Sequence, residues 1–208
     1  MLKFHHAPQS RSLIVHWMLE ELGESYEIEL LNLKTGEHKK PAYLAVNPMG
    51  KVPALEHDGV VLTEAAAICC YLADTFPKAA LAPAIGDPAR GPYLKWLFFG
   101  PSCLEPAVID RMSERSMPPY RRLGYGDFDT MLGVVVGGVS PGPWLLGDRF
   151  TAADVVIGSG VAWGIGTKAV PERPELVAYV DRMMKRPALR RVYAKDAEFV
   201  AAQAGERT

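Results

Sequence analysis

The residues that could do chemistry in this sequence lie at the start of two predicted helices. Ser10 and Ser12 lie at the start of the first helix, and Glu64 with Ala65 lies at the start of a later one. The N–H groups and the dipole of a helix N-terminus favour anions, so these positions suit a carboxylate or a thiolate. The same residues also serve simply to cap or stabilise a helix, and both interpretations stay open on this pattern alone.

The remaining reactive groups are cysteine and histidine. Cys69, Cys70 and Cys103 do not form the framework of a secreted disulfide protein, which favours reduced, buried thiols in a cytoplasmic protein. His5 and His6, taken with the adjacent cysteines, show no zinc-ligand spacing. The sequence has no C-x-x-C motif. We therefore expect no metal and no disulfide-reductase chemistry.

Composition argues against several classes of partner. The 208 residues carry 23 Lys and Arg against 24 Asp and Glu, a net charge of −1, which gives no support for nucleic-acid binding. The longest uncharged stretch, from Thr130 to Gly147, is broken by two prolines and five glycines, so we expect no membrane span. The first residues have no apolar core of signal-peptide length.

The first part of the chain alternates between strand and helix patterns, which predicts an α/β domain over residues 1–77. Strand, helix and strand within about thirty residues form a βαβ unit with parallel strands, and Asp-Gly between two apolar runs predicts a hairpin. The predicted elements are a strand at Leu2–His6, a helix at Ser10–Leu22, a strand at Tyr26–Leu30, a short helix from Pro41, two strands around Asp58-Gly59 and a helix from Thr63 to about Phe76.

A linker rich in Pro, Gly and Ala spans residues 78–87, and the pattern over residues 88–208 is helical throughout, which predicts an all-α domain. Thr151 and Asp154 have the spacing of a capping box, a folding signal rather than a catalytic one. The predicted helices cover Tyr93 to about Asp110, Asp127–Val139, Thr151 to about Trp163, Pro174–Lys185 and a short segment near Pro187.

Four motifs carry a resemblance to a known family over nearly the whole chain. They are HHAPQSRS…LEELG, NPMGKVPAL, LTEAAAICCYLAD and LLGDRFTAADV. In this order they resemble the cytosolic glutathione transferases, and the first motif resembles a bacterial branch. The resemblance implies a thioredoxin-like fold for residues 1–77, a helical second domain, a homodimer, and glutathione as co-substrate.

The resemblance also implies a glutathione site. The Val52–Pro53 bond would be cis, and the Val52 backbone would pair with the extended tripeptide. Glu64 and Ala65 would hold the γ-glutamyl group, with its carboxylate on helix N–H groups and its ammonium on Glu64. Lys51, or else His38, would bind the glycyl carboxylate. The family usually has Ser or Thr where this chain has Ala65, so one hydrogen bond worth about 1 kcal/mol is lost.

Within the resemblance, the thiol-activating group is a serine. The thiolate of glutathione is the nucleophile, and a hydroxyl donor at the start of the first helix lowers the pKa of the thiol. Ser10 is the first candidate and Ser12 the second. Two departures bear on this assignment: Ala7 stands where several classes have a catalytic Ser or Tyr, and Arg11 stands about where a bacterial class has a catalytic Cys.

The second substrate is expected to be a hydrophobic electrophile between the domains, where an apolar pocket would hold it. The candidate lining residues are Tyr93, Trp96, Phe99 and Cys103, although an aromatic stripe at helical spacing is more often core or dimer contact than substrate pocket. The expected function is conjugation of glutathione to that electrophile. The alternatives are a non-catalytic binding protein, which Ala7 and Ala65 favour, and another glutathione-dependent reaction, such as isomerisation, dehalogenation or peroxide reduction.

Overall fold

The structure is a computed structural model in which residues 1–113 and 122–205 are described. The strands are β1 (Leu2–His6), β2 (Tyr26–Leu30), β3 (Ala54–His57) and β4 (Val60–Thr63). The helices are α1 (Ser12–Leu22), α2 (Pro41–Leu44), α3 (Ala65–Thr75), α4 (Arg90–Phe99), α5 (Glu105–Met112), α6 (Phe128–Val139), α7 (Ala152–Gly166), α8 (Pro174–Met184) and α9 (Pro187–Gly205). Short 3₁₀ turns lie at Glu37–Lys39 and Pro77–Ala79, and a π-helical turn at Gly100–Leu104 joins α4 to α5.

The chain forms two compact units. The first contains Met1–Ala79 together with the segment from Arg186 onward, and the second contains Ala80–Lys185. The sequence had predicted only a short helix near Pro187, within the helical domain. Helix α9 instead has 19 residues and packs against α1 in the first unit. Composition gives no sign of this return, because a change of partner late in the chain leaves no local pattern.

The first unit contains the predicted α/β fold. Its sheet has the strand order β2-β1-β3-β4, with β1 parallel to β2 and antiparallel to β3, and β3 antiparallel to β4. The predicted βαβ unit and hairpin are both confirmed. Asp58 and Gly59 at the hairpin turn both have positive φ, 48° and 84°, the conformation that Asp-Gly sequences favour.

The core of the first unit lies between the sheet and helices α1 and α3. Phe4 and Leu55 from neighbouring strands are fully buried with Met18 of α1 and Ile68 of α3. Helix α1 ends at Gly23, which has a φ of 76° and donates its N–H to the Leu19 carbonyl oxygen at 3.1 Å. This left-handed C-terminal residue was predicted from the position of the glycine.

The elements of the second unit, over its described residues 80–113 and 122–185, are helices, as predicted. The predicted break at Gly100-Pro101 is the π-helical turn, and a Cβ on Gly100 would lie 2.6 Å from Val156 Cγ1, so glycine allows this turn to approach α7. Over residues 1–113 and 122–205, no helix is both long and apolar enough to cross a membrane.

The start of α7 is fixed by the predicted capping box. The Asp154 carboxylate is buried and accepts the Thr151 N–H at 2.9 Å. It also accepts the Leu145 N–H at 2.9 Å and the Tyr179 hydroxyl at 2.8 Å. Burial raises the pKa of Asp154, and these hydrogen bonds act in the opposite direction. The carboxylate therefore ties three segments of the second unit together.

Asp154→Ala should destabilise the second unit strongly, because three buried donors lose their acceptor. We expect a loss of roughly 3 kcal/mol or more in the free energy of unfolding, measured by urea denaturation. Asp181→Ala, at an exposed acid on α8, is the control and should change stability by less than about 0.5 kcal/mol. Equal effects at the two positions would contradict the structural role of Asp154.

Two histidines are buried side by side in the first unit. His6 ends β1 and His16 lies on α1, with ring centroids 5.1 Å apart and both residues fully buried. Burial, followed by the charge of His16, lowers the pKa of His6 to about 3. Burial also lowers the pKa of His16 to about 4, against an opposing effect of Glu20. Both rings are therefore neutral at pH 7.

Stability should fall as the pH drops below about 6.5, where histidines of the unfolded chain gain protons that the buried rings do not. Each such histidine costs about 1.4 kcal/mol per pH unit until its folded pKa is reached. His16→Phe should reduce the slope between pH 6 and pH 5 by about one proton, measured by urea denaturation at each pH. The same slope in both proteins would contradict the buried, neutral state of His16.

Candidate active site

The register of the sheet brings the ends of all four strands to one edge. His6 at the end of β1 is paired with Leu30 at the end of β2, and His5 is paired with Ala54 at the start of β3. Ala54 is paired in turn with Thr63 at the end of β4. The loop Ala7–Arg11, the Val52–Pro53 bond and the start of α3 therefore leave the sheet at the same edge. In the sequence, 40 residues lie between Arg11 and Val52, and 11 lie between Pro53 and Ala65.

A small apolar cluster packs this edge together. Ala7, Leu31, Tyr43 and Ala54 are its buried members, and Val52 packs against them in a partly buried position. Ala7 is fully buried. The methyl group at position 7, which the sequence marked as a departure from the family, is thus part of the packing that joins the loop after β1 to the start of β3.

Ser12 is the first residue of α1 and is fully buried. Its Oγ accepts the Ala7 N–H at 3.1 Å and lies 2.9 Å from the Ala7 carbonyl oxygen. It also lies 2.7 Å from His6 Nδ1 and 2.7 Å from Ser10 Oγ. A buried hydroxyl surrounded in this way cannot touch a ligand. Ser12, the second catalytic candidate, therefore makes only internal contacts with the loop after β1 and with His6.

Ser10 lies just before α1 and is partly exposed. Its Oγ lies 2.8 Å from the Ala7 carbonyl oxygen and accepts the Ser12 N–H at 3.2 Å. Ser10 is therefore the residue of the pair that has surface open to solvent. It also acts as a helix-start residue, since its oxygen satisfies a backbone donor of the first turn. The catalytic and the capping interpretations of the sequence are compatible at this position.

The Val52–Pro53 peptide bond is cis, as the resemblance implied. The residue before it is held by its neighbours, because the Lys51 carbonyl oxygen accepts the Tyr43 hydroxyl at 2.6 Å and the Asn47 side-chain N–H at 2.7 Å. These two side chains come from the segment of α2 and the turn that follows it. They fix the entry to β3 from the outside of the sheet edge.

Helix α3 begins with a strained residue. Glu64 has a φ of 68° and a ψ of 112°, is exposed, and directly precedes Ala65, the first residue of the helix. A non-glycine residue with positive φ carries a conformational cost, and such residues concentrate at binding sites. The N–H groups of the first turn of α3 are available to an anion. The exposed Glu64 directly precedes these groups in the chain.

The two candidates for the glycyl carboxylate lie close together on the chain fold. The 3₁₀ turn Glu37–Lys39 packs on the loop before Lys51, where a Cβ on Gly50 would lie 2.7 Å from the His38 carbonyl oxygen. His38 Nδ1 is buried, and no hydrogen-bond partner for it exists among the described residues. Lys51 is exposed. The structure thus packs the turn that contains His38 against the loop that contains Lys51.

The predicted apolar lining residues lie in the second unit with different exposures. Tyr93 is fully buried and Trp96 is 5% exposed, so both belong to the core of that unit. A Cβ on Gly138 would lie 2.3 Å from the Trp96 ring, which shows how closely α6 approaches the indole. Phe99 and Cys103 are partly exposed. Of the four, only these last two have surface open to solvent.

Helix α9 adds residues to this sheet edge that the sequence analysis missed. The Asp196 carboxylate accepts the Gln9 N–H at 3.1 Å and lies 3.8 Å from His6 Nε2. Gln203 Nε2 donates to the Leu31 carbonyl oxygen at 3.2 Å. No local motif could reveal these contacts, because about 190 residues separate Asp196 from the loop that it contacts.

A small depression, open to solvent, lies beside this loop. Helix α9 forms one side of it and the loops after β1 and β2 form the others. Its lining residues are Ala7, Pro8, Gln9, Leu33, Lys34, Val200 and Gln203. Within the described part of the chain, no cluster of His, Cys, Asp and Glu side chains could hold a metal ion.

Charges fasten α9 to α1. Arg186 Nη2 lies 2.7 Å from Glu21 Oε2, and Lys195 Nζ lies 3.3 Å from Glu20 Oε1. Arg191 also pairs with Glu20 and donates to its backbone oxygen at 3.1 Å. Burial alone would raise the pKa of Glu20, but hydrogen bonds from Tyr26, Arg191 and Lys195 lower it to about 2. Glu20 is therefore ionised throughout the physiological range.

Comparison with known proteins gives the same family from sequence and from structure. Residues 1–74 match the glutathione S-transferase N-terminal domain, and residues 122–196 match a glutathione S-transferase C-terminal domain. The chain is 30% identical to glutathione S-transferase GstA of Escherichia coli O157:H7, over 89% of this chain and 94% of that protein.

Two solved structures illustrate the likeness. A glutathione transferase from Methylococcus capsulatus is 32% identical with a TM-score of 0.80, covering 95% of this chain and 99% of that one. A glutathione transferase homologue from Sulfitobacter with bound glutathione is 27% identical with a TM-score of 0.76, covering 94% and 98%. The motifs, the mixed sheet, the helical second unit and these similarities agree, and the chain belongs to the glutathione S-transferase family.

Proposed function

We propose that this protein is a glutathione transferase that joins reduced glutathione to hydrophobic electrophiles. The observation that carries the proposal is the shared sheet edge, where Ser10, the Val52–Pro53 bond and the start of α3 lie together. An extended tripeptide laid along this edge meets a strand entry for its backbone, a helix N-terminus for its carboxylate and a hydroxyl for its thiol.

Each part of glutathione has a matching group at this edge. The γ-glutamyl carboxylate lies on the first N–H groups of α3, which begins at Ala65, and its ammonium faces Glu64. The Val52 backbone pairs with the cysteinyl residue. Lys51 or His38 receives the glycyl carboxylate. The missing hydroxyl at Ala65 weakens this binding by about 1 kcal/mol, because the backbone N–H remains.

Ser10 stabilises the thiolate. The glutathione thiol releases its proton to solvent, and the Ser10 hydroxyl turns from the neutral Ala7 carbonyl oxygen to donate to the charged sulfur, which is the stronger acceptor. The N-terminus of α1 favours the same negative charge. The thiolate then attacks an electrophilic carbon, and the S–C bond forms as the leaving group departs with the bonding electron pair.

The electrophile is proposed to be apolar and to contact the partly exposed side chains of Phe99 and Cys103. A pocket of this composition selects for hydrophobic groups rather than for one molecule. Membership of the family supports the further proposal that the chain acts as a homodimer in the cytoplasm.

A second candidate is a protein that binds glutathione without catalysis. The observation that favours it is the engagement of Ser10, whose hydroxyl already lies within hydrogen-bond distance of Ala7 O and Ser12 Oγ. In that case glutathione binds at the same edge, but the pKa of its thiol stays at the value found in solution. A difference absorbance spectrum of the bound thiolate separates the two candidates.

Ser10→Ala should lower kcat/KM for glutathione roughly ten- to a hundredfold, since a hydrogen bond to a charged group is worth about 1.5–3 kcal/mol. The measurement is conjugation to a panel of apolar aryl halides, together with the thiolate absorbance of bound glutathione. Ser10→Thr keeps the hydroxyl and should retain most of the activity. Ser25→Ala, at an exposed serine, is the matched control. An effect of Ser10→Ala below about twofold would contradict the mechanism.

A further inference from the structure

A chain of polar groups leads from Ser10 through the core to α9. Ser10 Oγ lies 2.7 Å from Ser12 Oγ, and Ser12 Oγ lies 2.7 Å from His6 Nδ1. On the other side of the imidazole, His6 Nε2 lies 3.8 Å from Asp196 Oδ1. The same oxygen accepts the Gln9 N–H at 3.1 Å. The Asp196 carboxylate therefore contacts the loop before Ser10 directly, through the Gln9 N–H. It also faces the His6 ring, whose other nitrogen contacts Ser12.

We propose that Asp196 is a positioning residue for thiol activation: it holds Gln9 directly and Ser12 through His6, and so fixes Ser10 where its hydroxyl donates to the glutathione thiolate. The inference rests on the proposed function, because it concerns the same hydroxyl. It assigns to the last helix of the chain a role in the chemistry of the first unit.

The direct contact, between Asp196 and Gln9, holds the conformation of the loop Ala7–Arg11. Gln9 has a φ of 55°, in the left-handed region that non-glycine residues rarely adopt. Such a conformation persists where surrounding contacts hold it. The Asp196 carboxylate accepts the N–H of this residue, and Gln9 directly precedes Ser10. Without that acceptor, Gln9 can relax toward a negative φ, and the placement of Ser10 changes with it.

The second contact, between Asp196 and His6, determines which atoms of His6 and Ser12 donate and which accept hydrogen bonds. His6 is fully buried and neutral at pH 7, so one ring nitrogen carries a proton and the other accepts. No hydrogen bond joins Nε2 to the Asp196 carboxylate at 3.8 Å, but the charge of the carboxylate favours a proton on that nitrogen. Nδ1 then accepts the Ser12 hydroxyl, which turns to it from the Ala7 carbonyl oxygen. Ser12 Oγ then accepts the Ala7 N–H. This arrangement fixes the Ser12 oxygen, which lies within hydrogen-bond distance of the Ser10 hydroxyl.

Neighbouring groups hold the Asp196 carboxylate in place. It is 8% exposed, and Phe199 on the same helix packs against the His6 ring at a centroid distance of 5.7 Å. The titratable and charged groups around the chain are His6 and His16, Glu20 of α1, and Tyr193 and Lys195 of α9. The buried ring and the fastened helix restrict the carboxylate to this position.

The series of hydroxyl, imidazole and carboxylate also occurs in hydrolases, but here it supports another group. Ser12 is fully buried, so its oxygen cannot attack a substrate. The partly exposed end of the series is Ser10, which lies before Ser12 and faces the site. The geometry thus fits the support of a hydrogen-bond donor and does not fit the activation of a serine nucleophile.

The test compares Asp196→Ala with Asp196→Asn in the full-length protein. Ala removes the acceptor, and we expect kcat/KM at pH 7 to fall roughly three- to tenfold and the pH midpoint of kcat/KM to rise by about half to one unit. Asn keeps an acceptor oxygen without the charge, and should stay within about twofold of wild type with no upward shift. Glu198→Gln, at an exposed acid on α9, is the control and should change nothing.

A second variant and a double mutant keep the test decisive. Asp196→Gln carries the amide one methylene farther out and should behave as Ala does, so the Asn and Gln pair decides the matter if the Ala variant does not fold. In a Ser10→Ala background, Asp196→Ala should change kcat/KM by less than about twofold, because its effect passes through Ser10.

The outcomes separate the two proposals. Equal losses in the Asn and Ala variants, an unmoved pH midpoint, or a full effect of Asp196→Ala without Ser10 would each overturn the positioning role. An unchanged Ser10→Ala enzyme would instead overturn the proposed function. If Ser10→Ala is impaired while Asp196→Ala matches wild type, only the positioning role fails.

Discussion

The candidate site depends on the central position of β1 in a mixed sheet. Because β1 is parallel to β2 and antiparallel to β3, the end of β1 and the start of β3 meet at one edge. The hairpin then returns the chain so that β4 ends at that same edge and leads into α3. A slip of one residue in the β1–β3 register would turn the side chains of one strand to the opposite face. It would also separate Ser10 from the Val52–Pro53 bond.

Helix α9 extends this arrangement from the far end of the chain. Arg191 and Lys195 of this helix pair with Glu20 on α1, and Arg186, directly before the helix, pairs with Glu21. These pairs place Asp196 against the loop that follows β1. Glu20 and Glu21 side chains are only 10% and 8% exposed, so these pairs are screened less by solvent than ordinary surface pairs. The first unit therefore includes a segment that follows the whole second unit in the sequence.

The parts of the fold that the sequence predicted are those with local signals. Gly23 marks the end of α1, Asp58-Gly59 marks the hairpin, and Thr151 with Asp154 marks the start of α7, because each signal acts within a few residues. The cis bond at Val52–Pro53 followed from the resemblance to the family, since proline alone does not specify the cis form.

The parts that the sequence did not predict depend on contacts distant along the chain. The sequence ranks Ser10 before Ser12 as the candidate hydroxyl, but only the structure shows that Ser10 is partly exposed and Ser12 is buried. Tyr93 and Trp96 lie on an aromatic helix whose pattern is typical of a core more often than of a pocket, and both are core residues. Asp196 has no motif at all, because its partners are near the other end of the chain.

The measurement that tests the central claim most directly is a calorimetric titration of the purified protein with reduced glutathione at pH 7. The arrangement of the sheet edge predicts saturable binding of one glutathione per chain, despite the missing hydroxyl at Ala65. Glu64→Gln should weaken that binding, because it removes the carboxylate that faces the ligand ammonium. The absence of any binding heat up to millimolar glutathione would contradict the assignment of this edge as a glutathione site.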